Sequence, residues 1–349
     1  MRFEPHRWLR SGHAQTIGAA FVRRKFRLPE GEERLFRVDA ESQLRGVCHW
    51  QTETTQGSQV HLGVRDSGQA RPALQERRKD VPVIVVVHGL EGSCDSNYAR
   101  GIADKAWARG FHAVRLNQRN CGGTERLTPT LYNSGLSDDY RAVLEDLIEE
   151  GFKKIFFVGY SMGGNLVTKM AGEMGEGTPK ELRGLVAVCP ALDLSACADA
   201  LEERANYLYQ RHFVRGLMER YRRKCELFPG RYAQNGFGKI RTVREFDDAI
   251  TAPCFGYKDA EEYYEAAGAK KVIEKVAVPV LMITAQDDPF LPYVSFLAAR
   301  VEANPRVRFV APEHGGHCGF VSRWSGEERF WAEERAVEFV EEVGGAACR

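Results

Sequence analysis

The sequence lacks any apolar run long enough to cross a membrane. Its longest unbroken apolar stretch, residues 81–87, includes a proline and is far shorter than the roughly 20 residues that a membrane-spanning helix needs. The opening residues, MRFEPHRWLR, contain no apolar segment of the kind that forms the centre of a signal peptide. These two absences predict a cytoplasmic protein with no stable membrane insertion.

Neither an excess of charge nor a cysteine pattern is present. Lys and Arg number 49 and Asp and Glu number 48, so the formal net charge is +1 and no nucleic-acid partner is expected. The nine cysteines are an odd number and include no C-x-x-C pair, which favours reduced thiols over a disulfide framework. His6 and His13 have no cysteine near them in the sequence, so we predict no metal and no other cofactor.

What the sequence does contain is a repeated alternation of strand and helix patterns. Short apolar, partly β-branched runs typical of buried strands alternate with segments whose apolar residues have helical spacing. The strand patterns lie at residues 83–87, 112–116, 155–159, 184–188, 278–284 and 306–310, and the helical patterns at 98–109, 137–150, 165–174 and 327–343. This alternation predicts an α/β fold, a single domain over residues 1–349 with a mostly parallel central sheet flanked by helices.

Shorter alternating runs precede this pattern. Residues 35–38, 46–50 and 60–64 predict antiparallel strands at one edge of the sheet. Residues 1–33 open with a basic and aromatic stretch from which no regular element can be derived.

Residues 190–275 interrupt the alternation between two predicted core strands. The segment has a long helical pattern and many aromatic residues. An insertion at this point of a doubly wound sheet lies over the carboxyl ends of the strands, where ligands bind. We therefore predict a helical cap, and we expect most of its aromatic side chains to form the core of the cap itself. Its basic run RYRRK (220–224) either docks a phosphate group or, as we favour, forms a solvated helix face.

The stretch KIFFVGYSMGGNL (154–166) carries the main chemical signal. A buried strand pattern leads into GYSMG at residues 159–163, and a helical pattern follows. A serine between two glycines at a strand–turn–helix junction is the context of a nucleophile elbow. Glycine is expected on both sides because the start of the helix packs close to the strand and leaves no room for a Cβ atom. Ser161 is therefore the predicted nucleophile.

A serine hydroxyl needs a base, and the base needs an acid to orient it. In this fold the acid follows the nucleophile along the chain and the base comes last. The acid is therefore Asp287 or Asp288, which follow the strand pattern at 278–284. We favour Asp288 because the proline after it biases its backbone toward an extended form. The base is His317, which has glycines on both sides, and His314 is the competing candidate.

Backbone N–H groups are expected to bind the oxyanion that forms on the substrate carbonyl. One is the N–H of Met162, directly after the nucleophile, and the other is that of Leu90 in HGLEG, after the first buried strand. Cys318, next to the predicted base, is expected to be a packing residue. Activity is expected to fall below a pH of roughly 6.5, where a free imidazole becomes charged.

Taken together, these motifs resemble those of the YheT-like branch of the α/β-hydrolases. The resemblance runs from about residue 13 to about residue 324 and rests on HAQTI (13–17), HGLEGS (88–93), NYARGIA (97–103), RNCGG (119–123), YNSG (132–135), GYSMGGNL (159–166), REFDDAITAPCFGYKDAEEYY (244–264), DDPF (287–290) and GGHCGF (315–320). Carried over residue by residue, the family's nucleophile, acid and base fall on Ser161, Asp288 and His317. Cys94 stands where the family usually has a serine.

The resemblance also implies an activity. Members of the family are described as carboxylesterases, as lipases acting on medium-chain acyl esters or phospholipids, and as acyl-CoA:alcohol acyltransferases. We expect a serine hydrolase that cleaves short- to medium-chain carboxylic esters, a small acyl ester or a lipid, through an acyl-enzyme. An acyltransferase with the same triad is the alternative, and a non-catalytic binding protein on a hydrolase scaffold is the remote one.

Overall fold

An eight-stranded sheet forms the centre of the molecule. The computed structural model describes residues 2–52, 77–232, 239–323 and 329–345. The strands in those ranges are β1 (Glu32–Arg37), β2 (Gln43–His49), β3 (Val83–Val87), β4 (His112–Leu116), β5 (Ile155–Tyr160), β6 (Leu182–Val188), β7 (Val280–Ile283) and β8 (Val307–Val310). The strand predicted at residues 60–64 lies outside the described residues.

Helices surround the sheet and fill the segment between β6 and β7. Within the described ranges the α-helices are α1 (Gly12–Phe21), α2 (Asn97–Ala108), α3 (Asp138–Glu149), α4 (Met162–Met174), α5 (Leu194–Glu202), α6 (Tyr207–Leu227), α7 (Val243–Phe246), α8 (Ala252–Cys254), α9 (Ala260–Ala267), α10 (Tyr293–Ala298) and α11 (Trp331–Gly344). A π-helical turn, Asp247–Thr251, joins α7 to α8. The 3₁₀ turns are Glu125–Leu127, Gly175–Gly177, Arg204–Asn206, Ala269–Lys271, Ile273–Lys275 and Val301–Ala303. None of these helices of the described chain has both the length and the apolar character that a membrane crossing requires.

The sheet is mostly parallel, as predicted. Its strand order is β1-β2-β4-β3-β5-β6-β7-β8, and every pair from β4 to β8 in that order is parallel. β1 and β2 pair antiparallel and β2 joins β4 antiparallel, so the predicted antiparallel strands lie at one edge. Every residue of β3, β4 and β5 is buried, as a sheet covered on both faces requires. The predicted α/β fold is confirmed.

The parallel strands determine where a site can form. α2 packs against α11, and α3 packs against α4, so helices support the sheet from the flanks. Because parallel strands end at the same edge, the loops that follow β3, β5, β7 and β8 meet there.

The start predicted at residue 327 for the last helix lies outside the described residues, and α11 begins at Trp331.

The basic run at residues 220–224 is only partly a solvated helix face. Arg220 and Lys224 are buried, whereas Arg222 and Arg223 are exposed. Positions four residues apart share one face of a helix, so Arg220 and Lys224 both point inward. Lys224 Nζ donates to two backbone carbonyl oxygens, and burial lowers the pKa of Lys224 to about 8. The favoured prediction is wrong for these two residues because buried oxygen acceptors replace the water that a solvated cation would bind.

Candidate active site

Ser161 lies on a sharp turn between β5 and α4, at the edge where the parallel strands end. Its φ of 53° and ψ of −119° are strained for a residue with a side chain. A Cβ atom on Gly159 would lie 2.3 Å from the carbonyl oxygen of Gly163, and one on Gly163 would lie 2.4 Å from that of Val87. The strand–turn–helix prediction and the need for glycine at both positions are confirmed.

The three side chains predicted as nucleophile, base and acid meet at this turn. His317 Nε2 lies 3.0 Å from Ser161 Oγ, and His317 Nδ1 lies 2.9 Å from Asp288 Oδ2. The Asp288 side chain has no exposed surface, and its Oδ1 accepts the backbone N–H groups of Phe290 at 2.8 Å and Leu291 at 3.1 Å. Because a fixed carboxylate faces Nδ1, that nitrogen carries the proton and Nε2 is left to accept from the hydroxyl.

The competing candidates form a separate pair beside these three residues. His314 Nδ1 lies 3.3 Å from Asp287 Oδ2, and Asp287 Oδ1 accepts the backbone N–H of Gly316 at 2.9 Å. The His314 side chain is 45% exposed, whereas that of His317 is 12% exposed. The structure therefore brings His317, and not His314, to the serine hydroxyl.

The charge of His317 depends on its burial and on two neighbours. Burial by itself favours the neutral imidazole. The Asp288 carboxylate and the Cys318 sulfur outweigh it and raise the pKa of His317 well above its ordinary value of 6.5. Cys318 is partly exposed and contacts Cys189. Cys318 thus influences the charge of His317 in addition to packing beside it.

The loop after β3 passes next to Ser161. A Cβ atom on Gly89 would lie 3.0 Å from Ser161 Cβ, so the backbone that leads into Leu90 runs beside the serine. His88 is fully buried, and its Nε2 accepts the backbone N–H of Gln118 at 3.1 Å. Its Nδ1 therefore carries the proton and donates to the Gly89 carbonyl oxygen at 2.8 Å. Burial lowers the pKa of His88 to about 4, so a neutral imidazole holds this loop.

The two residues predicted to supply oxyanion donors border the same space. Leu90 and Met162 line one cavity together with Ser161 and His317. Met162 is the first residue of α4, so its N–H has no carbonyl partner within that helix. A helix N-terminus also favours negative charge. Both residues thus border the space beside Ser161, and their role as oxyanion donors stays a prediction.

Glu91, the next residue of this loop, joins it to helix α6. Glu91 forms an ion pair with Arg220 at 3.0 Å and accepts from the Tyr132 hydroxyl at 2.7 Å. The two charged side chains are 11% and 9% exposed. Arg220 donates further to the backbone oxygen of Asn120. Sequence reasoning missed this contact because the paired residues are 129 positions apart.

The cavity beside Ser161 has a volume of about 120 Å³ and a mainly apolar lining. The segment between β6 and β7 contributes apolar side chains that include Leu194, Leu201, Phe213, Leu217 and Phe246. Asp247 on the π-helical turn also lines it. Burial raises the pKa of Asp247 to about 6, and the Tyr264 hydroxyl donates to this carboxylate at 2.7 Å. The space next to Ser161 thus suits a largely hydrocarbon group.

Comparison with known proteins identifies the family. The alpha/beta hydrolase fold family matches residues 82–232. An Escherichia coli (strain K12) protein named "Putative esterase YheT" is 32% identical over 342 residues, which cover 97% of this chain and 92% of that one. The chain belongs to the YheT-like branch of the alpha/beta hydrolases.

Other members of the family carry different activity names. The "Monoacylglycerol lipase" of Saccharomyces cerevisiae is 30% identical over 74% of this hydrolase and 59% of its own length. The "Medium-chain fatty acid ethyl ester synthase/esterase 2" of the same yeast is 26% identical over a stretch that covers 76% of this chain and 63% of the yeast protein. A solved structure of the Pyrococcus furiosus esterase Pf2001 is 14% identical and covers 99% of this chain and 98% of that one, with a TM-score of 0.56. That likeness shows a common fold.

The N-terminal segment of this hydrolase holds the loop that carries His317, which sequence reasoning missed. Thr16 in α1 accepts the backbone N–H of His317 at 2.8 Å. Gln15 is fully buried; its amide nitrogen donates to the Val321 carbonyl oxygen at 3.0 Å and its amide oxygen accepts the Val321 N–H at 2.7 Å. Both residues lie in HAQTI, and the resemblance of that motif to the family was the only signal for them. Composition and periodicity carried none.

The described residues of this hydrolase bring together one group of potential metal ligands, Cys189, His317 and Cys318. Both ring nitrogens of His317 are engaged, Nδ1 by Asp288 and Nε2 by Ser161. The two thiols that remain are fewer than the ligands of a tetrahedral site, so the group does not fit a resident metal.

Proposed function

We propose that this hydrolase cleaves carboxylic esters of short- to medium-chain acids through an acyl-enzyme on Ser161. The chain is an ester-cleaving hydrolase of the alpha/beta family. The observation that carries the finer assignment is the unbroken series of hydrogen bonds from Asp288 through His317 to Ser161, on a strained turn beside a mainly apolar cavity.

Attack by Ser161 begins with a proton transfer. His317 Nε2 is 3.0 Å from the hydroxyl oxygen, which is within reach of a general base. As Oγ bonds to the ester carbonyl carbon, the proton moves to Nε2. Asp288 accepts from Nδ1 throughout and stabilises the imidazolium that forms. The backbone of the elbow holds Oγ in position before the substrate arrives.

The charge that develops on the carbonyl oxygen is assigned to two backbone donors. The N–H groups of Met162 and Leu90 receive the oxyanion in this mechanism, and each donor contributes roughly 3 kcal/mol to the stability of the transition state. His317 then gives its proton to the departing alcohol, and Ser161 carries the acyl group. A water molecule deprotonated by His317 releases the acid and restores the serine.

In this proposal, residues 190–275 act as the cap that encloses the acyl chain. Leu201, Phe213 and Leu217 give the cavity hydrocarbon walls, and each methylene of the substrate buried there contributes about 0.8 kcal/mol. A lipid or a small acyl ester fits this lining.

Replacing Leu217 with tryptophan is expected to shorten the acyl chain that the enzyme accepts. The larger side chain occupies cavity space, so kcat/KM on p-nitrophenyl esters should fall progressively from acetate to decanoate relative to the unmodified enzyme. Arg222→Trp, on the exposed face of the same helix, is the control and should leave the series unchanged. Equal losses on all esters in Leu217→Trp would show that the acyl chain does not occupy this cavity.

As the pH is lowered, the enzyme is expected to lose activity earlier, at a higher pH, than a free imidazole with a pKa of about 6.5 would dictate. His317 has a raised pKa, so it stays protonated up to a higher pH and cannot accept the serine proton there. The acid limb of kcat/KM should therefore have its midpoint above 6.5. Cys318→Ser removes one of the groups that raise this pKa, so its midpoint should lie at lower pH, while Cys254→Ser should leave it in place. A midpoint below 6.5 for the unmodified enzyme would contradict the stated balance of burial and charge.

Transfer of the acyl group to an alcohol is the second candidate. It is favoured by the name of the yeast ethyl ester synthase/esterase, and it uses the same acyl-enzyme with an alcohol in place of water. Product analysis in the presence of ethanol separates the two. We expect more free acid than ethyl ester, and an excess of ethyl ester would favour the transferase.

A further inference from the structure

We propose that Cys189 and Cys318 form an oxidisable pair of thiols, which a peroxide converts into a disulfide beside the base and thereby inactivates the enzyme. The loss of activity rests on the proposed function. The formation of the disulfide does not.

The two cysteines come from different elements, and their sulfur atoms lie close together beside His317. Cys189 directly follows β6, and Cys318 directly follows His317 in the loop after β8. The backbone N–H of Cys318 donates to Cys189 Sγ at 3.3 Å, and the two sulfur atoms lie within 4.8 Å of each other. A disulfide bond is about 2.05 Å long, so the sulfurs need to approach by at most roughly 3 Å.

The backbone at both positions is unusual for cysteine. The φ angles are 46° at Cys189 and 58° at Cys318, in the left-handed region where glycine carries no penalty. Each side chain is thus kept at a strained position, which points to a role for the thiols beyond filling space.

Cys318 has the properties of the thiol that reacts first. It is partly exposed, whereas Cys189 is buried. Burial opposes the thiolate of Cys318, but the Cys189 thiol and the charge of His317 lower the pKa of Cys318 to about 6. The other cysteines in the described ranges have raised pKa values. Since the thiolate is the nucleophile, oxidation should select Cys318.

The chemistry needs one molecule of hydrogen peroxide. The Cys318 thiolate attacks one peroxide oxygen, the O–O bond breaks, and Cys318 becomes a sulfenic acid with release of hydroxide. Cys189 then loses its thiol proton, and its sulfur attacks the Cys318 sulfur. The S–OH bond breaks and water leaves as the disulfide forms. Both sulfurs are oxidised, and both peroxide oxygens are reduced.

Formation of the disulfide moves Cys318, which the backbone joins directly to His317. The imidazole must stay within hydrogen-bond reach of both Ser161 and Asp288. A displacement of about 1 Å in such an arrangement costs about 100-fold in rate. A thiol reductant should reverse the effect because it cleaves the disulfide.

The test treats the reduced, full-length enzyme with hydrogen peroxide at neutral pH and follows two measurements. One is hydrolysis of a p-nitrophenyl ester, with each variant compared with its own untreated sample. The other is the mass of unreduced peptides. We expect at least a roughly tenfold loss that dithiothreitol restores, together with a linked 189–318 peptide that lacks two hydrogen atoms.

Three variants sharpen the result. Cys318→Ser should resist the peroxide. In Cys189→Ser the Cys318 sulfenic acid has no partner thiol, so a second molecule of peroxide should oxidise it to the sulfinic acid with release of water, and dithiothreitol should not restore the lost activity. Cys254→Ser, which removes an exposed cysteine with a raised pKa, should behave like the unmodified chain. Equal inactivation of Cys318→Ser, or inactivation of the unmodified enzyme without the linked peptide, would overturn the proposal. The peptide measurement decides even where a variant does not fold or the ester is not a substrate.

Discussion

Replacing Ser161 with alanine is expected to lower kcat for ester hydrolysis by at least about 10⁴-fold. The lost oxygen is the atom that bonds to the acyl group in the proposed mechanism. His317, still held by Asp288, would be a base with no hydroxyl proton to accept. Alanine has the same Cβ atom as serine, so the strained turn at φ 53° should form as before. The measurements are kcat on a p-nitrophenyl ester and covalent labelling with a fluorophosphonate.

Ser195→Ala provides the control for Ser161→Ala. Ser195 lies in α5, donates to Glu261 at 2.7 Å and does not line the cavity. It should keep both the activity and the label. If Ser161→Ala retained more than a few per cent of the activity with an unchanged melting temperature, Ser161 would not be the nucleophile. If the unmodified chain took no label, the result would favour the alternative of a binding protein on a hydrolase scaffold.

Asp288→Asn is expected to lower kcat by about 10⁴-fold, with the fold intact. Oδ1 of Asp288 accepts two backbone N–H groups, so the amide oxygen of asparagine must take that position. The amide NH₂ then faces His317 Nδ1, which lay 2.9 Å from the carboxylate. A donor at this place shifts the imidazole proton to Nε2, and the nitrogen next to Ser161 can no longer accept.

Asp287→Asn is the matched control, because it makes the same chemical change one residue earlier. The amide oxygen can still accept the Gly316 N–H, and the partner histidine, His314, lies on the exposed side of the loop. We expect little change in kcat. The assignment of Asp288 as the acid would fail if Asp287→Asn lost as much activity as Asp288→Asn.

The elbow and the order of the three side chains were predictable because the signals are local. A β-branched run, glycines with no room for Cβ and a helical pattern all lie within residues 154–166, and each feature has a steric cause that neighbouring residues carry. Asp288 and His317 lie in the loops that follow β7 and β8, so finding the strand patterns located those loops. The preference for Asp288 over Asp287 followed from one proline.

What sequence reasoning missed depends on contacts between distant parts of the chain. Thr16 reaches a backbone group 301 positions away, and nothing in residues 1–33 indicated a helix. Arg220 was assigned to a solvated face because a run of cations is usually exposed. Its buried partner, Glu91, lies in another motif. The meeting of Cys189 with Cys318 likewise requires the sheet order, which brings β6 close to the loop after β8.

The ion pair between Arg220 and Glu91 has a consequence for how substrate reaches the serine. Lifting α6 away from the loop would break this ion pair and the hydrogen bond from Arg220 to Asn120, and it would expose apolar residues of α6 that line the cavity, such as Leu217. Helix α6 should therefore stay packed against this loop during turnover. An ester would then have to reach Ser161 along a path that leaves α6 and Glu91 in place.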